Sequence, residues 1–306
     1  MPVDRNIAAL LSIIESLDYP PIAEMTVEKA RAAFKVRTFD QRDEAALAVV
    51  GSVADGVVAG VPVRVFRPVG DGPKPTVVFF HGGGWTIGDL DTHDASCRLL
   101  CRDVDAVVVS VGYRLAPEHR FPAAVEDAVA VLTAVGSDLA SFGGSDRLAV
   151  AGDSAGGNLA AVCTHVARSS GPSLVGQLLV YPSVDLGGAY PSTAENGKGY
   201  LLTTDEMAWF ADQYLDGQPA ADPRVSPLRA SSLAGLPPAV VVTAQYDPIR
   251  DEGNAYASAL SSAGVAVVTR QFDGLIHGFY GMEPLSRAAA DATAWTHAQF
   301  ARLLLA

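Results

Sequence analysis

The chain has 306 residues, of which 49% are hydrophobic and 18% are charged, a composition typical of a globular protein with a large core. Its formal net charge is −12 at pH 7, so its surface repels phosphate backbones and anionic membranes. We therefore expect no nucleic-acid partner. The length is sufficient for one large α/β domain with a smaller part attached.

The N-terminal segment "MPVDRNIAALLSIIESL" contains a short apolar run between the acidic residues Asp4 and Glu15. This pattern predicts an amphipathic helix rather than a signal peptide. No apolar run has the length of a membrane span, so we expect no stable membrane insertion and a cytoplasmic location. The three cysteines, Cys97, Cys101 and Cys163, predict no disulfide framework and are interpreted as small core residues.

Seven valine-rich runs along the chain predict strands, and most of them are continuously apolar, which is typical of strands that are buried on both faces. These runs are residues 61–68, 76–81, 106–112, 147–153, 176–182, 239–245 and 265–272. Helical patterns lie between them, at residues 91–104, 121–135 and 250–264. This alternation indicates one α/β domain with a mainly parallel sheet covered by helices.

Two regions interrupt the alternation. Residues 1–44 are helical without a strand, and residues 185–235 carry glycine, proline and serine loops around one helix, residues 203–215. Thr203 and Glu206 form a capping box at the start of that helix. Its aromatic residues, which include Trp209, fit either a packing stripe or a lid over a pocket, and the sequence leaves both readings open.

One serine lies at the corner between the apolar run 147–153 and a helical pattern. The frame Gly152-Asp153-Ser154-Ala155-Gly156 matches G-x-S-x-G, the nucleophile elbow, in which the serine has a strained backbone and bulky neighbours would clash. The motif is short, but the strand before it and the helix after it are the context that it requires. Ser154 is therefore the candidate nucleophile.

A serine hydroxyl needs a general base, and the elbow topology places that histidine after the serine in the chain. His165 falls within the elbow helix, and His297 falls within the C-terminal helical pattern, so both are interpreted as residues of helix faces. His277 follows the last strand in "FDGLIHGFY", between two glycines. A loop histidine in that position can be aimed at Ser154, and we expect it to be the base.

The orienting acid is expected after a strand between Ser154 and His277. The segment "AVVVTAQYDPIRDEG" offers Asp247, Asp251 and Glu252. Asp247 comes directly at the strand end, the edge of a parallel sheet where ligands bind. Asp251 and Glu252 fit the first turn of the next helix, where carboxylates suit the helix dipole. Asp247 is therefore the predicted acid.

The segment "FFHGGGWTIG" follows another strand and supplies backbone N–H groups that can approach a developing oxyanion. Ala155, directly after the elbow serine, supplies a further N–H. A rival reading is a dinucleotide site, but Ile87 occupies the third glycine position of G-x-G-x-x-G and no acidic residue follows the next strand. No Cys/His cluster or H-E-x-x-H motif predicts a metal.

Together these segments resemble the hormone-sensitive lipase family of α/β-hydrolases, also called the bacterial family IV esterases. The similar text is "HGGGW" at 81–85, "GDSAGG" at 152–157, "DPIRDEG" at 247–253 and "IHGF" at 276–279, with "YRLAPEHRFPAAVED" at 113–127 and "DPRVSPL" at 222–228. The resemblance implies the α/β-hydrolase fold, with an eight-stranded, mostly parallel sheet flanked by helices. It also implies a helical cap from residues 1–44 and 185–235, on a core of residues 45–184 and 236–306.

By this resemblance the catalytic residues are Ser154, Asp247 and His277. The oxyanion donors are the N–H groups of Gly83, Gly84 and Ala155, and His81 braces the glycine loop. Trp85, Trp209 and Phe279 are candidate pocket walls, and a packing role is the alternative for each of them.

The expected function is a serine carboxylesterase that hydrolyses short- to medium-chain acyl esters of small molecules through an acyl-enzyme, with no metal or redox cofactor. An amidase or formamidase that uses the same triad is the alternative. The fold also serves as a plant hormone receptor without the catalytic histidine, but His277 is present here. Members of this family often form homodimers through the last strand, so the resemblance also implies a homodimer.

Overall fold

The computed structural model describes residues 1–17, 20–40 and 42–306. These residues contain eight strands, which form one sheet in the order β1-β2-β4-β3-β5-β6-β7-β8. The strands are β1 (Ser52–Val58), β2 (Val61–Arg67), β3 (Lys74–Phe80), β4 (Val107–Val111), β5 (Gly144–Asp153), β6 (Gly176–Val180), β7 (Ala239–Tyr246) and β8 (Val267–Ile276). β1 pairs antiparallel with β2, and β2 antiparallel with β4, whereas the pairs from β4 through β8 are parallel.

Helices cover both faces of this sheet. They are α1 (Arg5–Ser16), α2 (Val27–Lys35), α3 (Asp94–Val104), α4 (Ala123–Ser137), α5 (Ala155–Ser170), α6 (Pro191–Asn196), α7 (Thr204–Leu215), α8 (Arg250–Ser262) and α9 (Arg287–Leu305). α4, α5 and α8 pack on one face of the sheet, and α3 and α9 pack on the other. Alternate residues of β3 follow this division, because Val78 and Phe80 join the first core while Val77 and Phe79 join the second.

The parallel strands bring the segments that follow β3, β5, β6, β7 and β8 to one edge of the sheet. β5 lies at the centre and ends at Asp153, directly before α5. The carboxyl ends of β3, β6, β7 and β8 lie at the same edge, since these strands run parallel to β5. The loops that follow them begin at residues 81, 181, 247 and 277. This is the edge at which ligands bind in parallel sheets.

The seven strands predicted from apolar runs are present, and the structure adds β1, which the sequence patterns missed. β1 is the edge strand, and five of its seven residues are exposed. A strand that pairs along one side only and faces solvent does not need an apolar run. The eight-stranded α/β-hydrolase architecture implied by the resemblance is confirmed.

Two helices outside the alternation, α2 and α7, pack together over this edge of the sheet. Phe210 of α7, Ala30 of α2 and Ile87 form a small apolar cluster of their own, against which Met25 and Phe34 pack. The Arg31 side chain attaches α2 to the core, because its guanidinium donates to the Thr86 and Ala116 carbonyl oxygens and to the Glu118 carboxylate.

No helix in the described part of the chain is long and apolar enough to cross a membrane. In the same residues, no group of three or more His, Cys, Asp or Glu side chains is arranged to hold a metal ion.

Candidate active site

Ser154 occupies the single residue between β5 and α5. Its backbone has φ 54° and ψ −118°, a conformation that side chains other than glycine rarely adopt. The turn is tight enough that a Cβ at Gly152 would collide with the backbone of Gly156, and a Cβ at Gly156 would collide with the carbonyl oxygen of Phe80. The glycines on both sides of the serine are therefore required by space.

Ser154, His277 and Asp247 form one hydrogen-bonded row. The Ser154 Oγ lies 3.0 Å from His277 Nε2, and His277 Nδ1 lies 2.8 Å from Asp247 Oδ2. A carboxylate only accepts hydrogen bonds, so His277 carries its proton on Nδ1 and leaves Nε2 free to accept the serine O–H. This arrangement lets the imidazole take the serine proton while the carboxylate stabilises the resulting positive charge.

Buried neighbours hold the acid and the histidine in place. Asp247 is completely buried, and its second oxygen accepts the Ile249 N–H at 2.9 Å. His277 follows β8 directly, and Gly278 after it has φ 83°. The imidazole packs against the buried Tyr181 ring, with 4.6 Å between the ring centroids. Each of these contacts fixes one side chain of the row.

The two other carboxylates of the same segment face different groups. Asp251 accepts the Ser192 N–H at 2.9 Å and pairs with Arg250. Glu252 is buried, and its Oε1 accepts the Val184 N–H at 2.7 Å and the Asp185 N–H at 3.4 Å. Burial raises the pKa of Glu252 to about 8, although these hydrogen bonds oppose the rise. The sequence predicted Glu252 only as a residue of the first helical turn and did not predict that it binds the backbone of residues 184–185.

The glycine loop lies beside Ser154 and is attached to the elbow. The Gly82 N–H donates to Asp153 Oδ1 at 2.9 Å. Gly83 and Gly84 have φ 118° and 55°, and their N–H groups, like that of Ala155, donate no hydrogen bond to another group of the described chain. Three uncommitted N–H donors next to a serine hydroxyl are what an oxyanion hole requires.

Buried aromatic and histidine rings pack at the start of this loop. The His81 ring stacks on Tyr113 with 4.3 Å between centroids, and the Tyr113 hydroxyl donates to the His81 carbonyl oxygen at 2.7 Å. Burial and the neighbouring His93 lower the pKa of His81 to about 4, so this imidazole is neutral at pH 7. Burial alone would raise the pKa of Asp153, but His93 and the Gly82 N–H outweigh it and hold that pKa below its ordinary value.

A groove of about 2240 Å³ opens above the row and contains Ser154 and His277 in its lining. Its outer wall comes from α1, α2 and α7, and its floor comes from the glycine loop and the loops after β6 and β8. Ser154 is half-buried. The groove is mainly apolar on the side of the three helices, where Ile14, Met25 and Phe34 line it.

The groove wall differs from the sequence prediction at two aromatic residues. Trp85 does line the groove and stacks on Tyr214, with 4.4 Å between centroids. Trp209 is not in the lining and packs against the apolar cluster of Phe210, whose ring faces Gly84. Phe279 is completely buried in the core against Tyr181 and has no face toward the groove.

Comparison with known proteins identifies the family. Residues 77–281 match the profile of a family with the alpha/beta hydrolase fold. Carboxylic ester hydrolase LipN of Mycobacterium tuberculosis is 49% identical over 248 residues, which are 78% of this chain and 66% of LipN, just under two thirds of its length. Carboxylesterase NlhH of the same species is 44% identical over 240 residues, 76% of this chain and 75% of NlhH.

A solved structure shows the same fold over the whole chain. The hyperthermophilic esterase of Pyrobaculum calidifontis superposes with a TM-score of 0.95 at 40% sequence identity, and the match covers 100% of both chains. The chain therefore belongs to the alpha/beta hydrolase fold family, in its hormone-sensitive lipase-like branch, the bacterial family IV.

Proposed function

We propose that the protein is a serine carboxylesterase in which Ser154 is the nucleophile, His277 the general base and Asp247 the orienting acid. The observation that carries the proposal is the row itself, with 3.0 Å between Ser154 Oγ and His277 Nε2 and 2.8 Å between His277 Nδ1 and Asp247 Oδ2. This geometry matches the requirements for nucleophilic acyl transfer.

In the proposed first half-reaction, Ser154 Oγ attacks the ester carbonyl carbon as its proton passes to His277 Nε2. The carbonyl oxygen becomes an oxyanion, which the N–H groups of Gly83, Gly84 and Ala155 stabilise. The carbon–oxygen bond of the leaving alcohol then breaks, and the alcohol takes the proton from His277. An acyl-enzyme remains on Ser154.

In the second half-reaction, His277 takes a proton from water, and the resulting hydroxide attacks the acyl carbon. The bond to Ser154 Oγ breaks, Ser154 recovers the proton from His277, and the carboxylic acid leaves. All proton transfers pass through one imidazole, whose orientation depends on the buried Asp247.

The names of the relatives support esters of small molecules as substrates. Beside the mycobacterial proteins, an ethyl acetate hydrolase of Pseudomonas putida is 39% identical over 72% of this chain, and an arylesterase of Saccharolobus solfataricus is 38% identical over 74%. We propose short- to medium-chain acyl esters for this protein. Amide cleavage by the same row is the alternative, and a matched ester and amide pair distinguishes the two.

We also propose that residues 1–44 and 185–235 act as a cap on a core of residues 45–184 and 236–306. The apolar cluster that joins α7 to α2 supports this division. A homodimer through the last strand remains a prediction, supported by the position of β8 at the edge of the sheet. Size measurements in solution test it.

Replacing Ser154 with alanine tests the nucleophile. We expect Ser154→Ala to reduce kcat on a 4-nitrophenyl butyrate-type ester by ~10⁴-fold or more, since the acyl group loses its attachment atom. A fluorophosphonate should label the unmodified protein at Ser154, as located by mass spectrometry of the peptides. Near-normal turnover in the folded variant, or labelling at another residue, would contradict the assignment.

A further inference from the structure

The groove contains a cation that the proposed reaction does not use. Arg37 lies in the short helical segment Val36–Asp40 after α2, and its side chain is accessible and lines the groove that holds Ser154. The guanidinium carbon lies 5.3 Å from the centroid of the Phe34 ring. Arg37 is thus held against an apolar wall and presents its donors to the space in which a substrate lies.

No carboxylate of the described residues lies within ion-pair distance of Arg37, in contrast to the neighbouring arginine of α2. Arg31 holds both oxygens of Glu118, at 2.8 and 2.7 Å. Glu206 is the acidic group whose charge acts on Arg37. Its carboxylate accepts the Thr203 N–H at 2.9 Å and forms no ion pair with the guanidinium. The N–H donors of Arg37 therefore remain available to a ligand.

The surroundings of Arg37 favour the binding of an anion. The Arg37 side chain is exposed to the groove, and desolvation by the neighbouring protein lowers the pKa of Arg37 even with Glu206 nearby. A guanidinium without a counter-ion gains from an incoming anion, since charge-assisted hydrogen bonds are stronger than neutral ones. Carboxylate is the anion that its planar fork of N–H groups matches with two parallel hydrogen bonds.

A chain of contacts along one wall connects Arg37 to the elbow. The Phe34 ring beneath the guanidinium lies 6.2 Å from the His93 ring, between centroids, and His93 Nε2 lies 3.5 Å from Asp153 Oδ1, next to Ser154. Ile87 and Met25 extend the same wall with apolar surface. A ligand that joins the two points thus has an ester at one end, an apolar middle and an anion at the other end.

We propose that Arg37 binds a carboxylate at the far end of the substrate, so that the enzyme favours esters with a terminal carboxylate beyond an apolar spacer. This inference rests on the proposed esterase function. The carboxylate belongs either to the acyl chain, as in half-esters of aliphatic dicarboxylic acids, or to the alcohol, as in acyl esters of hydroxy acids. The overall charge of −12 opposes anions at long range, so such a preference must come from a local group.

The experiment measures kcat and KM for carboxylated esters and for methyl-terminated esters of equal length. One arm carries the carboxylate on acyl chains of increasing length, and the other carries it on the alcohol. The variants are Arg37→Gln, Arg37→Lys and a control, Arg5→Gln, which removes the same charge from the start of α1 at a position that does not line the groove.

We expect Arg37→Gln to lower kcat/KM for a carboxylated ester by ~10-fold or more, mainly through KM, in at least one arm. Arg37→Lys should retain part of the preference because it keeps the charge without the fork. The methyl-terminated esters should change by less than about twofold, and Arg5→Gln should match the unmodified protein on every ester.

The outcomes separate the two proposals. If the unmodified protein hydrolyses neither the carboxylated nor the methyl-terminated esters, the proposed esterase function fails. If they are hydrolysed, and Arg37→Gln leaves the ratio of carboxylated to methyl-terminated turnover unchanged in both arms, the esterase function stands and the carboxylate site is overturned.

Discussion

At the scale of single residues, three carboxylates within one short segment have three different surroundings. Asp247 faces an imidazole, Asp251 faces a backbone N–H and an arginine, and Glu252 faces two backbone N–H groups. Chemical type alone does not distinguish their tasks, because all three are short acidic side chains. The donor that each one meets decides whether it supports a moving proton or a fixed loop.

We expect Asp247→Asn to lower kcat by about 10³- to 10⁴-fold with little effect on folding. An amide at this position accepts from His277 Nδ1 less well, and the positive imidazole loses its counter-charge. Asp251→Asn is the matched control, since it changes one carboxylate four residues away that does not contact His277. Steady-state kinetics on one ester check both variants, and an inactive Asp251 variant beside an active Asp247 variant would reverse the assignment.

Glu252 links stability to pH. Because burial raises the pKa of Glu252 to about 8 from 4.5, the folded chain keeps this proton over a range in which the unfolded chain has lost it. The folded state therefore binds more protons between these values, and the contribution to stability falls as pH rises. It is complete below pH 4.5 and is lost as pH rises through about 8.

Glu252→Gln should flatten this dependence while it keeps an acceptor for the Val184 and Asp185 N–H groups. Urea unfolding between about pH 5 and 8 gives the free energies, and the unmodified protein should lose up to ~1.4 kcal/mol per pH unit more than the variant. His81, whose pKa is lowered to about 4 by burial, acts in the opposite direction but equally in both proteins. Parallel curves for the two proteins would refute the role of Glu252.

At the scale of elements, the sequence was informative where a strand end fixes a side chain. Asp247 and His277 could be predicted because each directly follows a strand, and parallel strands bring their carboxyl ends to one edge. The capping box of Thr203 and Glu206 was also predictable and is confirmed, because it depends only on local hydrogen bonds.

Elements that depend on distant contacts were less predictable. The contact of Glu252 with residues 184–185 requires the loop after β6 to lie on the start of α8, which no local pattern encodes. Phe279 and Trp209 have the composition of pocket walls, but the direction in which a loop or helix turns decides whether they face the groove. Arg37 has no sequence signal, since its availability arises from the absence of an ion pair in the folded chain.

At the scale of the whole molecule, the groove is much larger than a typical small-ligand pocket. Its volume of about 2240 Å³ exceeds the ~300–1,000 Å³ of such sites, so size alone does not exclude a long acyl chain. Two apolar residues are also exposed at the C-terminal part of α1, Ile13 within the helix and Leu17 directly after it. Exposed apolar surface of this kind can contact lipid. Substrate preference therefore depends on whether Ser154 is accessible to dissolved esters or only after the protein contacts an oil–water interface.

The structure favours a serine that is already accessible. Ser154 is half-buried and lines the groove while α7 is packed on the glycine loop, where Phe210 meets Gly84. A true lipase hides its serine until a lid moves at the oil–water boundary, and no such movement is needed here for a small ester to enter. The net charge of −12 further opposes binding to anionic lipid surfaces.

We therefore expect high activity on dissolved butyrate-type esters, with turnover that follows a hyperbola and does not rise when the substrate passes its solubility limit. Long-chain triglyceride emulsions should be cleaved far more slowly, because the reacting carbonyl must leave the oil to reach Ser154 inside the groove. Titration of tributyrin through saturation, with acid release as the readout, provides the measurement. A sharp rise in rate at the appearance of droplets, together with rapid cleavage of long-chain triglyceride, would show a true lipase and contradict the accessible groove.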